Sequence, residues 1–147
     1  MNEVIENLKR LYKDWADEEI ISVSPIAQSG SYRKYFRITG KEKTAVGVFN
    51  PDKKENRAFI TFTKHFLKKG LNVPHLFAQN LRENIYLIED LGDTTLFSLI
   101  DKEKINHSLS EKVLSYYKDA LNQLIRFQIN GGKGLDLFSL LPKSKIR

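Results

Sequence analysis

Three short segments contain the residues that could take part in chemistry. Ser29-Gly30-Ser31 is a turn of small residues, Glu55 is an acid in a helical stretch, and Glu89 begins an acid-rich segment. A turn without large side chains can lay its backbone amides over phosphate groups. An acid on an inward helix face needs a partner and could orient a phosphate-binding group. Acids at a strand end suit magnesium, and the exposed backbone beside them can pair with a base.

Each of these segments also has an ordinary structural explanation. The turn has one glycine, so the pattern G-x-G-x-x-G is absent and a plain hairpin turn fits it. Glu55 is favoured by the helix dipole if it lies in the first turn. The acid-rich segment fits a solvated turn. The residues alone leave both explanations open for each segment.

The elements that must position these segments follow from the periodicity of apolar residues. The pattern predicts a helix over residues 4–15, strands over 20–26, 32–39 and 44–49, a second helix over 55–69, strands over 75–79 and 84–89, a short helix over 94–100 and a long helix ending at Gly131. Ser108 with Glu111 matches the S-x-x-E signature of a helix start. The second helix is predicted to turn inward the face formed by Glu55, Ala58, Phe59, Phe62, His65, Phe66 and Lys69.

The order of these elements predicts an α+β fold with a five-stranded antiparallel sheet and one packed helix. We expect three parts: an N-terminal helix over residues 1–19, a sheet unit with its hinge over 20–93, and the start of a helical unit over 94–147. The second helix connects the third strand to the fourth, so the sheet is not doubly wound.

Composition narrows the class of protein. The 147 residues suit one domain or part of a larger one, and the absence of cysteine excludes disulfides, thiolate metal sites and cysteine nucleophiles. No apolar run approaches the ~20 residues of a membrane span, and the acidic start is unlike a secretory signal, so we expect a cytoplasmic protein. The net charge of +6 favours an anionic partner. A solvated helix face explains the lysines around the second helix better than nucleic acid does.

Taken in order, these segments resemble the N-terminal lobe of a protein-kinase-like fold. The residues Ser31-Tyr32-Arg33-Lys34-Tyr35-Phe36-Arg37 are similar to the S-x-R-x-Y-F-R strand of the aminoglycoside phosphotransferase and choline kinase superfamily. Gly70-Leu71-Asn72-Val73-Pro74 matches its G-h-x-V-P link, and Ile88-Glu89-Asp90-Leu91-Gly92-Asp93 matches its L-x-D-L-G-D hinge. The nearest branch resembles sugar kinases of the N-acetylmuramate type, and the similarity covers about residues 23–130.

The resemblance implies ATP, with Mg²⁺, as the phosphoryl donor and the hydroxyl group of a small molecule as the acceptor. By position, the turn at 29–31 would cover the phosphates, and Glu89 and Leu91 would meet adenine through their backbones. Glu55 would be the helix acid that pairs with a strand-three lysine in kinases. The nucleotide-binding residues implied are Ser29, Gly30, Ser31, Val46, Glu55, Glu89 and Leu91.

The sequence departs from this family in two places. The third strand has no lysine, Asn50 stands at roughly its position, and Arg33, Lys34 and Arg37 are candidates to replace it. The H-x-D loop and the later metal-binding aspartate do not follow the long helix, so we expect no catalytic and no metal-ligating residue in this chain. We therefore expect an inactive N-terminal part of a phosphotransferase, with weak ATP binding. The alternative is a non-catalytic interaction or regulatory module derived from the same lobe, and an exposed apolar face predicts self-association.

Overall fold

The computed structural model describes residues 2–27, 32–104 and 109–135, and all structural statements below refer to these ranges. The first half of the chain contains α1 (Asn2–Ala16), β1 (Ile20–Ile26), β2 (Lys34–Gly40), β3 (Thr44–Phe49) and α2 (Lys53–Lys68). The second half contains β4 (Leu76–Asn80), β5 (Ile85–Glu89), α3 (Leu96–Lys104), α4 (Glu111–Arg126) and a π-helical segment (Phe127–Gly131).

The five strands form one sheet in the order β1-β2-β3-β5-β4. Every neighbouring pair is antiparallel. The chain passes from β3 through α2 to the edge strand β4. It then returns as β5, which lies between β3 and β4. The predicted α+β class with a five-stranded antiparallel sheet is confirmed.

The two faces of the sheet are covered by different helices because residues along each strand alternate between faces. On the face here named the α1 face, α1 packs through Leu8, Tyr12 and Ala16 against apolar residues of β2, β3 and β5. On the α2 face, Ile60 packs against Val46, Val48, Tyr86 and Ile88. The N-terminal helix thus completes the core of the sheet.

Gly47 in β3 permits the close approach of α1. A Cβ atom at this position would lie 2.9 Å from Cδ2 of Leu8, closer than unstrained carbon atoms come. Because Gly47 has no side chain, Leu8 can reach the backbone of the sheet. Helix α1 therefore packs directly on β3, on the face of the sheet opposite α2.

The start of α2 lies earlier than the apolar pattern predicted. Asp52 is the N-cap, and its Oδ1 accepts hydrogen bonds from the backbone N–H groups of Lys54 at 2.8 Å and Glu55 at 3.0 Å. Such a cap satisfies amides that have no partner in the first helical turn. Glu55 therefore lies in the first turn of α2, as the ordinary explanation of this residue requires.

The start of α4 differs from the prediction. Its N-cap is Ser110, whose Oγ accepts a hydrogen bond from Val113 N at 3.3 Å, whereas the predicted cap Ser108 lies outside the described residues. The backbone N–H and the Oγ of Ser110 donate hydrogen bonds to the Glu103 carboxylate at 2.6 and 2.7 Å. Glu103 of α3 therefore takes the role that the S-x-x-E signature predicted for Glu111. In the described part of the chain, no helix combines the length and apolarity that a membrane crossing needs.

Candidate functional site

Glu55 lies where the start of α2 meets the chain entering β2. Its Oε1 is 2.8 Å from Nη2 of Arg33, and its Oε2 accepts a hydrogen bond from Nδ2 of Asn50 at 2.8 Å. The Arg33 side chain is only 16% exposed, whereas that of Glu55 is 49% exposed. The predicted partner of the helix acid therefore exists, and Arg33, one of the three candidate residues, supplies it. We call Arg33, Asn50 and Glu55 the Arg33 cluster.

Two aromatic rings continue this cluster onto the α2 face of the sheet. The Arg33 guanidinium lies 5.0 Å from the ring centroid of Phe59, and the Phe59 ring stacks on that of Tyr86 with 5.1 Å between centroids. The contact between the cation and the ring face adds attraction and orients the guanidinium plane. Arg33 is thus held by an acid at one side and an aromatic ring at the other.

The hydroxyl group of Tyr86 is buried and has no hydrogen-bond partner among the described residues. Burial raises the pKa of Tyr86, so its hydroxyl remains protonated at neutral pH and able to donate. A buried donor without an acceptor is costly, and the cost is relieved when a ligand or water supplies one. This orphaned donor is the feature of the α2 face that most directly indicates a bound group.

Asn50 directly follows β3, at roughly the position where the resemblance leads one to expect lysine. It is buried, its Nδ2 binds Glu55, and its Oδ1 accepts a hydrogen bond from Asp52 N at 3.1 Å. The buried Asn56 donates from Nδ2 to the backbone carbonyl of Asn50 at 2.7 Å. The neutral amide of Asn50 thus orients the acid while Arg33 supplies the positive charge.

The buried side of α2 differs from the predicted inward face. The buried residues are Asn56, Ala58, Ile60 and Thr63, and Glu55 lies beside this face with its side chain half exposed. Phe66 is half-buried, and its ring packs edge-on against Phe127, with 5.2 Å between centroids. Part of the apolar pattern of α2 therefore reflects contact with the segment after α4, and Asn56 was missed because a polar residue does not indicate burial by periodicity.

A second charged cluster lies at the other end of the α2 face, where β5 ends. Arg37 in β2 donates from Nε and Nη2 to Asp90 at 2.5 and 3.0 Å, and from Nη1 and Nη2 to Asp93 at 3.0 and 2.9 Å. Such paired contacts use the planar fork of the guanidinium and are stronger than single hydrogen bonds. We call these three residues the Arg37 cluster. Arg37, another candidate for the missing lysine, is therefore engaged by the hinge.

The contacts of Asp90 and Asp93 with Arg37 bear on the prediction that the acid-rich segment suits magnesium. Hydrogen bonds from Arg37 hold the pKa of Asp90 and that of Asp93 below their ordinary values, so both carboxylates are ionised at neutral pH. Their charge is directed at a guanidinium, and the described residues contain no group of three or more acids, histidines or cysteines that could hold a metal. The residues described here do not fit a magnesium ion.

The remaining predicted residues lie at the same end of the sheet as the Arg37 cluster. Val46 is nearly buried on the α2 face and pairs with Arg37 in β2 and with Ile88 in β5. The backbone N–H of Glu89 donates to the His75 carbonyl at 2.9 Å, so a base could meet only the Glu89 carbonyl. Leu91, by contrast, is 69% exposed.

The predicted residues are thus brought together only in part. Val46, Glu89 and Leu91 cluster at the hinge, while Glu55 lies with Arg33 at the other end of the same face. Ser29, Gly30 and Ser31 lie outside the described residues. A large groove of about 1170 Å³ lies elsewhere, between α1 and the strands β1 and β2. Lys34, a candidate for the missing lysine, lines it, and none of the predicted nucleotide-binding residues does.

No protein-family model matches the sequence. The chain is 27% identical over 126 residues to the N-acetylmuramate/N-acetylglucosamine kinase of Pseudomonas putida, covering 84% of this chain and 35% of that protein. It is 26% identical over 129 residues to the N-acetylmuramate/N-acetylglucosamine kinase of Pseudomonas aeruginosa, covering 87% of this chain and 34% of that protein. The chain therefore spans about a third of the length of these curated relatives, and the similarity relates it to sugar kinases.

Proposed function

We propose that this chain is the nucleotide-binding part of an ATP-dependent phosphotransferase that acts on a hydroxyl group of a sugar-like small molecule. Its similarity to two sugar kinases supports the reaction class. The observation that carries the proposal is the ion pair between Arg33 and Glu55, with 2.8 Å between Nη2 and Oε1. Phosphoryl transfer depends on a cation held against the nucleotide phosphates, and in kinases a helix glutamate holds that cation.

In this proposal, the base lies at the hinge and the phosphates lie toward Arg33. Val46 offers an apolar wall beside the hinge, and the exposed backbone at Leu91 offers polar groups for the base edge. The orphaned hydroxyl of Tyr86 lies on the same face, where an acceptor oxygen of the nucleotide would satisfy it. The residues present therefore fit a nucleotide, and the turn at Ser29, Gly30 and Ser31 is proposed to cover its phosphates.

The distribution of charge along the α2 face supports this orientation. The Arg33–Glu55 pair is neutral overall, whereas Arg37 faces two ionised aspartates and leaves a net negative charge at the hinge. A phosphate chain would be repelled at the hinge, while an uncharged base would not be. The polyanionic end of the ligand is thus directed toward Arg33.

The described residues do not supply the rest of the reaction. Since they do not fit magnesium, we propose that this chain alone binds nucleotide weakly and does not turn it over. The acceptor sugar and the catalytic aspartate would belong to further sequence of the kind that the longer relatives contain. A cytoplasmic location, where ATP is available, is part of this proposal.

Nuclear magnetic resonance titration with a non-hydrolysable ATP analogue tests this function. We expect a dissociation constant of about 1 mM, because one wall of a cleft buries little of its ligand. The amide signals of Val46, Tyr86 and Leu91 should shift. Arg33→Met should raise the dissociation constant about tenfold or more, because it removes the cation proposed to face the phosphates.

The matched control is Arg82→Met, which removes the same charge from an exposed residue of the β4–β5 turn. This variant should bind like the wild type. Equal weakening by the two substitutions would show that only net charge matters. The absence of any shift on the α2 face at millimolar analogue would contradict the proposed function.

The alternative function, an interaction or regulatory module, is favoured by one observation. Within the described residues, α4 exposes an apolar stripe with helical spacing that includes Leu114, Tyr117, Leu121, Leu124 and Ile125. Single exposed apolar side chains are ordinary, but a continuous patch indicates an interface. We propose that a second copy of the chain covers this stripe.

Sedimentation over a range of protein concentrations tests self-association. Leu121→Lys should shift the distribution to monomer, because it places a charge within the apolar stripe. The adjacent Asn122→Lys adds the same charge at an exposed residue outside the stripe and should leave the association unchanged. A wild-type chain that remains monomeric at millimolar concentration would contradict the proposal.

A further inference from the structure

The segment 90–95 follows β5. The Arg37 cluster joins it to the sheet, while Thr95 at its end exchanges hydrogen bonds with Ser98 of α3. Residues 91–95 are all exposed, and only Asp90 is partly buried. Gly92 has a φ of +77°, a backbone conformation that glycine adopts without strain, and its N–H donates to Oδ1 of Asp90 at 2.9 Å. Burial therefore does not explain the conformation of this segment.

The anchor for this segment comes from a distant part of the chain. Arg37 is separated from Asp90 and Asp93 by 53 and 56 positions, and its side chain must pass β3 to reach them. The Arg37 side chain is 25% exposed and that of Asp90 is 12% exposed, so their contact is shielded from solvent. A shielded two-pronged contact restricts motion more than an exposed ion pair does.

We propose that Arg37 is a positioning residue that fixes segment 90–95 before nucleotide binds. By holding Asp90 through two hydrogen bonds, the guanidinium sets the direction of the backbone at Leu91. The role in nucleotide affinity rests on the proposed function, whereas the restraint of the segment belongs to the chain without ligand. When only a fraction of molecules holds a binding-competent conformation, apparent affinity falls by that fraction.

Hydrogen exchange of the unliganded chain tests the restraint directly. Arg37→Met should speed exchange of the Gly92 amide at least tenfold, because Asp90 then loses the group that orients it. Arg37→Lys should give an intermediate rate, since a lysine keeps the charge but lacks the fork. Arg82→Met, the exposed control, should leave the rate unchanged.

Nucleotide affinity provides the second readout. Arg37→Met should raise the dissociation constant of the ATP analogue about tenfold, with the shifts of β2 and β3 amides retained. A double variant, Asp90→Asn with Asp93→Asn, removes both carboxylate charges that face Arg37 and leaves every residue of the sheet in place. It should also speed exchange of the Gly92 amide, and it serves as the second test if Arg37→Met lowers the yield of folded protein.

The outcomes separate the two proposals. Unchanged Gly92 exchange in both Arg37→Met and the double variant overturns the positioning role. Faster exchange with unchanged analogue affinity also overturns it, because segment order would then not govern binding. If the wild-type chain binds no analogue while the variants still exchange faster, the proposed function fails and the restraint of segment 90–95 is upheld.

Discussion

Two arginines that lie close together in the sequence are held by different contacts at the two ends of the α2 face. Arg33 is mostly buried, stacks on Phe59 and faces one half-exposed acid. Arg37 faces two aspartates, one shielded and one largely exposed. The first cluster is one ion pair supported by buried neighbours, whereas the second sets one arginine against two carboxylates and carries excess negative charge.

This difference predicts how the contacts at each end of the α2 face respond to pH. The Arg33 cluster is built around Asn50, a buried amide that does not titrate. The Arg37 cluster depends on carboxylates whose pKa values are held low by hydrogen bonds from Arg37. We therefore expect the Arg37 cluster to weaken in acid, whereas the buried amide of Asn50 stays neutral.

The largest expected effect is that of Asn50→Ala at the Arg33 end. This change removes hydrogen bonds to Glu55 and Asp52 and leaves a small cavity at a fully buried position. Lost buried hydrogen bonds and a cavity together cost about 3 kcal/mol of unfolding free energy. Urea denaturation followed by circular dichroism at pH 7 measures this loss.

The exposed Asn122→Ala in α4 is the control for this prediction and should change the unfolding free energy little. Equal losses for Asn50→Ala and Asn122→Ala would contradict the prediction, because the buried contacts of Asn50 would then add nothing to stability.

The next largest effect is that of Asp90→Asn at the hinge. Hydrogen bonds to a charged group contribute more than neutral ones, so we expect a loss of about 1.5 kcal/mol at pH 7. The pKa of Asp90 is lowered in the folded chain, chiefly by hydrogen bonding to Arg37. Its contribution is therefore present above the ordinary aspartate pKa of about 3.9 and is lost as the pH falls through the lower folded value.

Denaturation of wild type and Asp90→Asn between pH 7 and pH 2.5 checks this sign. The two free energies should converge as the pH falls through the lowered pKa of Asp90, because protonation of the wild-type carboxyl removes the charge that faces Arg37. Asp101→Asn in α3 serves as the control and should show no such convergence. A difference that stays constant across the range would contradict a role for the charge of Asp90.

The sequence predicted the sheet well because strand periodicity depends on neighbours within one strand. The alternation in β2, the β-rich run of β3 and the turns around them were enough to place both strands. The face of α2 was harder, since the polar residues Asn56 and Thr63 are buried while Phe66 packs against Phe127. Hydrophobicity does not distinguish a position beside the sheet from one beside another segment.

The candidate site could be predicted only as far as its residue types. Glu55 was expected to need a cation, and Arg33 was among the residues considered. The contact of Arg37 with Asp90 depends on the order of strands across the sheet, which local sequence does not encode. Long-range pairing of this kind needs coordinates, because nothing in the spacing of 53 positions distinguishes Asp90 from other acids.

The smallest expected effect is that of Asp93→Asn, and it tests whether shielding decides the strength of the Arg37 cluster. Asp93 accepts two hydrogen bonds, like Asp90, but its side chain is 78% exposed. Exposed ion pairs add little to stability, so the melting temperature should change by less than about 2 °C. Differential scanning calorimetry of Asp93→Asn beside Asp90→Asn makes the comparison at equal change in charge. Equal losses for the two variants would mean that the number of hydrogen bonds to Arg37, and not their separation from solvent, fixes segment 90–95.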